Sequence, residues 1–340
     1  MKPLSPEIYY LDDKLRENMP ATAPCFLHEL HGLTVIDIKG KDPDRTRVMT
    51  TLIHGNEPSG FIATYLWLKS GEIPATNVRI IICNPETAQH KPIFTRRYVG
   101  DCEDLNRYFG TKKQPDDKVQ LRANQIKQLI EEVKPEAIID LHNTSGLSPA
   151  FALSTNDNED HLDLSGLFTD MVMYMSLNVG SLCEQEFGVP IVTIECGGAD
   201  EILSHEVATE GLHDYFSLDC IFTHSQREPT WYYHPMRIEL TGDASVSFAN
   251  HKLFTTDITF IAEIEQFNSH PTPKGEFLGW YDDDDPIPLR ALDDQGVDQI
   301  HNLLRVEAGR IYANCKMQMF MATTNQDIAT NDCITYATFI

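Results

Sequence analysis

Apolar positions fall in short runs through the first two thirds of the chain, and the runs change period. Leu33-Thr-Val-Ile-Asp-Ile38 alternates, as a strand with one buried face does. Val48-Met-Thr-Thr-Leu-Ile53 and residues 77–83 are denser, the pattern of strands covered on both sides. Residues 40–45 read as a turn. From Pro58 the spacing of Phe61, Ile62, Tyr65, Leu66 and Leu68 predicts a helix, stopped by Gly71 and Pro74. A second helix is expected over 119–133, with Leu121, Ile126, Leu129, Ile130 and Val133 on its apolar side. A strand over 137–141 follows Pro135. Further on come a helix over 165–179, whose Met171, Met173 and Met175 are read as packing, a strand over 189–194 and a helix over 201–222. Residues 1–30 hold one short helix in this reading. Residues 86–115 lack periodicity and read as a long functional loop.

This order predicts an α/β fold, a sheet with helices on both faces. After residue 228, prolines and glycines punctuate short runs rich in Thr, Ile, Val, Phe and Tyr, with strands expected over 311–323 and 333–339. A smaller C-terminal β-rich domain is therefore expected at 228–340, behind a larger domain at 1–227. At 340 residues, two cores are the ordinary expectation. The run Asp282–Asp285 before Pro286 lacks the spacing of a calcium loop and reads as a solvated turn.

Charge narrows the partners. The chain carries 51 acidic and 27 basic residues, a formal net charge of -24. Such a field repels phosphate backbones and anionic bilayers, so nucleic acid and membrane are not expected partners. An anionic substrate would need a locally basic site. Eight cysteines include no Cys-x-x-Cys pair, and no apolar run reaches 18 residues. A cytoplasmic protein with reduced thiols is the simplest expectation.

The chemistry sits at strand ends. His54-Gly-Asn-Glu57 follows the run 48–53, and His142 ends Ile138-Ile-Asp-Leu-His142. Two imidazoles and a carboxylate delivered there make a zinc set with a position left for water. Asp140, two residues before His142, points to the same side of a strand and can accept the far imidazole proton or support another residue nearby. Glu195 follows the strand over 189–194 and is placed to act as general base; spacing alone does not separate that role from a fourth ligand. Arg96, Arg97 and Arg107 cluster in a basic-poor chain, beside Asn106. They suit a carboxylate clamp or an oxyanion contact. Surface ion pairs with Asp101, Glu103 and Asp104 are the competing reading.

Taken together, His54-Gly-Asn-Glu57 with Gly60, Arg97-Tyr98, Asp104-Leu-Asn-Arg107 with Phe109, Asp140-Leu-His142 and Ile194-Glu195 resemble the succinylglutamate desuccinylase/aspartoacylase family of the zinc carboxypeptidase superfamily. The resemblance covers residues 33–222 well. It implies a zinc-carboxypeptidase-like catalytic domain holding one Zn2+ per chain on His54, Glu57 and His142, with Glu195 as catalytic carboxylate. It implies Arg97 as the residue that polarises the acyl carbonyl. Asn106 and Arg107 would contact the substrate, a small anionic N-acyl amino acid cleaved at its amide bond. The β-rich domain would narrow the site entrance, and it also offers an interface for homo-oligomers. The chain departs from the aspartoacylase pattern in two places. The aspartoacylase pattern has a further substrate arginine shortly before the catalytic glutamate; residues 181–188 contain none, leaving Arg96 as the candidate for that charge, and Glu195-Cys-Gly-Gly198 replaces Glu-Val-Gly-Pro. Two other functions share these residues: a carboxypeptidase or amidase acting on short or peptidoglycan-derived peptides, and a metal-binding protein with a retired catalytic domain.

Overall fold

A computed structural model describes residues 4–98, 103–110, 118–175, 179–223, 228–281 and 286–340. The run Asp282–Asp285 and Asp101 lie outside them. The chain divides into two compact units. One comprises residues 1–143, 150–172 and 176–231; the other comprises 144–149, 173–175 and 232–340.

Nine strands form the main sheet: β1 (Ile8–Leu11), β2 (Leu33–Ile38), β3 (Asp42–Thr51), β4 (Thr76–Ile82), β5 (Ala137–Thr144), β6 (Phe151–Ser154), β7 (Met171–Tyr174), β8 (Ile191–Gly198) and β9 (Thr230–Tyr232). Their order is β1-β2-β4-β3-β5-β8-β6-β7-β9. The sheet is mixed: β3 runs parallel to β4 and β5, while β2 pairs antiparallel with β4 and β6 with β8. Helices are α1 (Ala23–Glu29), α2 (Ser59–Ser70), α3 (Pro85–Ala88), α4 (Lys118–Glu132), α5 (Glu159–Gly166) and α6 (Ile202–Ser217).

Alternation along the strands builds two cores. Ile36, Met49, Ile80 and Ile139 face α1, α2, α5 and α6 through Phe26, Phe61, Leu164 and Leu212. Val35, Val48, Ile81 and Ile138 face α4 through Ala123, Ile126 and Ile130. Both faces of the sheet are thus covered, as the dense apolar runs require. No helix among the described residues is long and apolar enough to cross a membrane.

The second unit holds two small sheets. Strands β10 (Met236–Leu240), β14 (Leu289–Ala291), β17 (Met317–Phe320) and β18 (Thr335–Phe339) form one, and β11 (Val246–Phe248), β12 (Ile258–Phe260), β13 (Phe277–Tyr281), β15 (Leu304–Glu307) and β16 (Arg310–Ala313) the other. Their inner faces share a core that includes Ile238, Ile258, Leu278, Ile311 and Met319.

Several expectations need correction. The helix expected over 165–179 is not there: α5 ends at Gly166 and β7 follows. Val172 and Met173 are both fully buried, so this short apolar run is a doubly covered strand, which periodicity does not distinguish from a buried helix. The turn at 40–45 is absorbed into β3 as a register shift between Asp42 and Thr46, where Asp42 accepts hydrogen bonds from Asp44 N and Arg45 Nε. The single strand expected over 311–323 is β16 and β17, which belong to different sheets. The first 30 residues supply strand β1 as well as a helix. The loop 86–115 contains α3 at its start and a 3-10 turn at Leu105–Arg107. Finally, β5 and β8 run past their expected ends, so His142 and Glu195 lie within strands rather than after them.

Arg47 anchors the opposite end of β3. It is fully buried, and its Nε donates to Glu136 Oε1 at 2.6 Å. Nη1 donates to the carbonyls of Tyr215 and Leu218 at 2.6 and 2.7 Å, closing the C-terminal end of α6. Replacing Arg47 by Met leaves those acceptors buried without a donor. Urea unfolding of Arg47→Met should show a loss of about 3 kcal/mol; a midpoint equal to wild type would contradict this role.

Candidate metal centre

The strand β3 ends by turning sharply. Leu52, fully buried, has a φ of 53°, a left-handed conformation that a leucine adopts only when its surroundings impose it. They do so through Asn84. Its N–H donates to Leu52 O at 3.0 Å and its Nδ2 to Ile53 O at 2.7 Å. Asn84 is held in turn by Arg122 of α4, which is buried and also donates to Glu86 Oε1 at 3.0 Å. The next residue is His54. Gly55 then lets residues 96–97 dock on the turn: a Cβ there would meet Thr87 Cγ2 at 2.5 Å and Arg96 O at 2.8 Å. Gly55 N–H donates to Arg97 O at 3.0 Å.

His54, Glu57 and His142 converge, all buried, with ligand atoms within 4.8 Å of one another. His142 Nδ1 lies 2.6 Å from Glu57 Oε2. His54 Nδ1 lies 2.8 Å from Glu57 Oε1, yet it is buried and makes no hydrogen bond there. A ring nitrogen that is close to a carboxylate but not aligned with it suits a shared cation between them. The donor types are those of zinc, and one atom from each of the three residues can face a single ion. The residues present therefore fit the metal.

Each imidazole is gripped at its far nitrogen by a carboxylate. His142 Nε2 is 2.7 Å from Asp140 Oδ2, and Asp140 Oδ1 accepts from Thr50 Oγ1 at 2.5 Å. His54 Nε2 is 2.8 Å from Asp104 Oδ1. These contacts fix the rings with Nδ1 facing the centre. The spacing of Asp140 to His142 announces the first pair. Asp104 was visible only as part of a motif, because nothing in sequence spacing links it to His54.

Charges follow the same geometry. Burial opposes ionisation of Glu57, but His54 and His142 hold it well below the usual carboxylate range. Burial likewise opposes, and His54, Arg97 and Arg107 override, in lowering Asp104. Burial resists a charged His142, yet Asp140 and Glu57 raise its pKa well above the ordinary histidine value. Glu195 moves the other way: burial, with Glu57 adding to it, pushes it up to about 7 against the pull of His142, Arg97 and His54.

The arginine-rich loop is divided. Arg97 reaches the centre, donating to Glu57 Oε1 at 2.8 Å and to Asp104 Oδ2 at 3.2 Å. Asn106 is buried, with Oδ1 accepting from Leu182 N at 3.0 Å. Arg107 is exposed and donates from Nη1 to the Asn106 carbonyl at 3.1 Å. Arg96 is exposed, and its side chain joins none of these contacts.

Residues 43–213 match the succinylglutamate desuccinylase/aspartoacylase catalytic domain. The chain belongs to this family. Among solved structures, the succinylglutamate desuccinylase/aspartoacylase of Rhodobacter sphaeroides aligns with a TM-score of 0.54 at 14% identity, over 90% of this chain and 88% of that one. Succinylglutamate desuccinylase of Vibrio cholerae gives 0.54 at 15% over 94% and 99%, and murine aminoacylase 3 gives 0.54 at 16% over 88% and 96%. At these identities the likeness is one of fold. No curated protein sequence matches the chain.

Asp104 is not itself a ligand, so its loss should weaken the family's metal site without abolishing it. Asp104→Asn is expected to lower zinc affinity about 10- to 100-fold in chelator competition. Unchanged affinity would show that His54 needs no such partner.

Proposed function

We propose that the chain hydrolyses the amide bond of a small N-acyl amino acid, with one zinc ion held by His54, Glu57 and His142. The observation that carries this reading is the pairing of that buried set with a half-buried carboxylate, Glu195, whose pKa is pushed up to about 7. Zinc bound there would supply Lewis acidity, polarising the acyl carbonyl and making water easier to deprotonate. Glu195 would take a proton at its carboxylate from the attacking water and deliver it to the leaving nitrogen as the C–N bond breaks. The products are a carboxylic acid and a free amino acid. A group with a pKa near the working pH serves both halves of this transfer.

Arg97 would donate to the oxygen on which charge develops. Its position against Glu57 supports that role. Arg107, exposed beside Asn106, is the better placed cation for a substrate carboxylate, and Arg96 a further one on the same loop. In a chain of net charge -24 these cations supply the local attraction an anionic substrate needs. We put the boundary between the catalytic and β-rich domains at residues 227 and 228, near the change of unit between 231 and 232. Free thiols at the exposed Cys25 and Cys220 suit a reducing cytoplasm.

The test is release of primary amine from N-acetyl, N-formyl and N-succinyl amino acids, with short peptides alongside. Turnover of an acyl amino acid by the zinc-loaded protein, reduced about 100- to 10,000-fold in Glu195→Gln, is expected. Turnover of peptides alone would replace this reading with a peptidase. The base works as carboxylate, so kcat/KM should fall as the pH drops and Glu195 takes up a proton. A bound dication favours the ionised form, which puts that acid limb at or below about pH 7. A rate that climbs as the solution is acidified would contradict Glu195 as base.

A further inference from the structure

Glu195 is placed by its main chain. Its side chain makes no hydrogen bond among the described residues, and Oε2 is buried without a partner. Where the carboxylate stands relative to Glu57 and His142 therefore depends on where β8 runs and on what pins the end of that strand. Two residues on, Gly197 has a φ of 108°, a conformation that favours glycine, and its carbonyl accepts from Asn143 Nδ2 at 2.9 Å.

Asn143 is buried, and its amide is fully committed. Besides Gly197 O, Nδ2 donates to Ser59 Oγ at 2.8 Å, and Oδ1 accepts from Ser59 N at 3.0 Å. The Ser59 N–H identifies Oδ1 as the oxygen, so the orientation of the amide is fixed by its partners. Ser59 opens α2, which lacks a side-chain cap from its own N-cap residue; Asn143 satisfies one of the N–H groups that a helix start leaves open. The Asn143 N–H also points to Glu57 Oε2, at a long 3.5 Å. One side chain thus joins three segments: β5 carrying His142, the start of α2 just after Glu57, and the end of β8 just after Glu195.

A fourth element braces it. Ser59 Oγ accepts from Asn143, which leaves its own proton for Nδ1 of His205 on α6, 2.8 Å away. Burial lowers the pKa of His205 against the pull of Asp200, which favours the neutral ring that can accept the Ser59 proton at Nδ1.

We propose that Asn143, braced by Ser59 and His205, is a positioning residue that sets Glu195 against the Glu57–His142 pair. This inference rests on the hydrolase reading above. Asn143 touches no reacting atom; it acts through the Gly197 carbonyl and the Ser59 backbone.

The test compares wild type with Asn143→Ala, Ser59→Ala and His205→Ala by kcat, KM, zinc affinity in chelator competition, and amide hydrogen exchange over residues 195–198. A displacement of Glu195 by about 1 Å in Asn143→Ala should lower kcat about 100-fold, while KM and zinc affinity change less than about 10-fold. Exchange at the end of β8 should quicken. Ser59→Ala and His205→Ala should lower kcat in the same sense by about 3- to 10-fold, and they decide the matter if Asn143→Ala does not fold. A kcat near wild type in the folded variants would overturn the proposal. So would zinc affinity falling in step with kcat, because Asn143 would then support the ligands rather than Glu195. Failure of wild type on every acyl amino acid would sink the hydrolase reading instead. The exchange measurement would still judge the tie between Asn143 and β8, and unchanged exchange would break it.

Discussion

Glu57 is a carboxylate buried between two imidazoles, and much of the first unit can be read as what that arrangement demands. Ionised groups leave water only when their charges and hydrogen bonds are answered locally. Here His54 and His142 lie within 2.8 Å of its two oxygens, and Arg97 donates to one of them. The imidazoles are themselves answered from behind by Asp104 and Asp140. The result is a chain of carboxylate, imidazole and carboxylate, with both Nδ1 atoms turned inward. A divalent cation held between Glu57 and the rings would take the place of protons on the imidazoles. The left-handed backbone at Leu52, costing about 1–3 kcal/mol in strain, belongs to the same construction. It brings His54 round to the centre, and the buried Asn84–Arg122 pair holds it there.

The same constraint explains why Glu195 differs from Glu57. Both carboxylates stand at this centre, but Glu57 is buried with an imidazole against each oxygen, while Glu195 is half-buried and makes no hydrogen bond among the described residues. Their environments drive their affinities for protons apart, one far down and the other to about 7. Such a separation is what the proposed roles require: a carboxylate held ionised suits a ligand, and one whose pKa is raised toward neutrality suits proton transfer.

Much of this was legible in the chain. The doubly covered strands were visible as runs such as Val48–Ile53, because sheets with helices on both faces need apolar residues on both sides of each strand. His54, Glu57 and His142 were visible because their types are those of zinc ligands and their places are strand ends. Asp140 was visible because two-residue spacing puts it on the same side of β5 as His142. Other features were hidden for physical reasons. Four-residue strands such as β7 are too short for a period to establish itself, so Met171–Tyr174 read as helix. The contacts of Asp104 and Asn143 are long-range ones, made by loops and strand ends that only the fold brings together. Asn143 in particular alternates away from His142, toward α2 and α6, where sequence gives no hint of Ser59 or His205.

X-ray absorption and anomalous diffraction from the zinc-loaded protein would show whether His54, Glu57 and His142 hold a single zinc ion. One zinc per chain is expected, bound by two imidazole nitrogens and carboxylate oxygen at about 2.0–2.2 Å, with a further light-atom position for water. Zinc bound elsewhere, or a coordination shell without both imidazoles, would contradict that expectation.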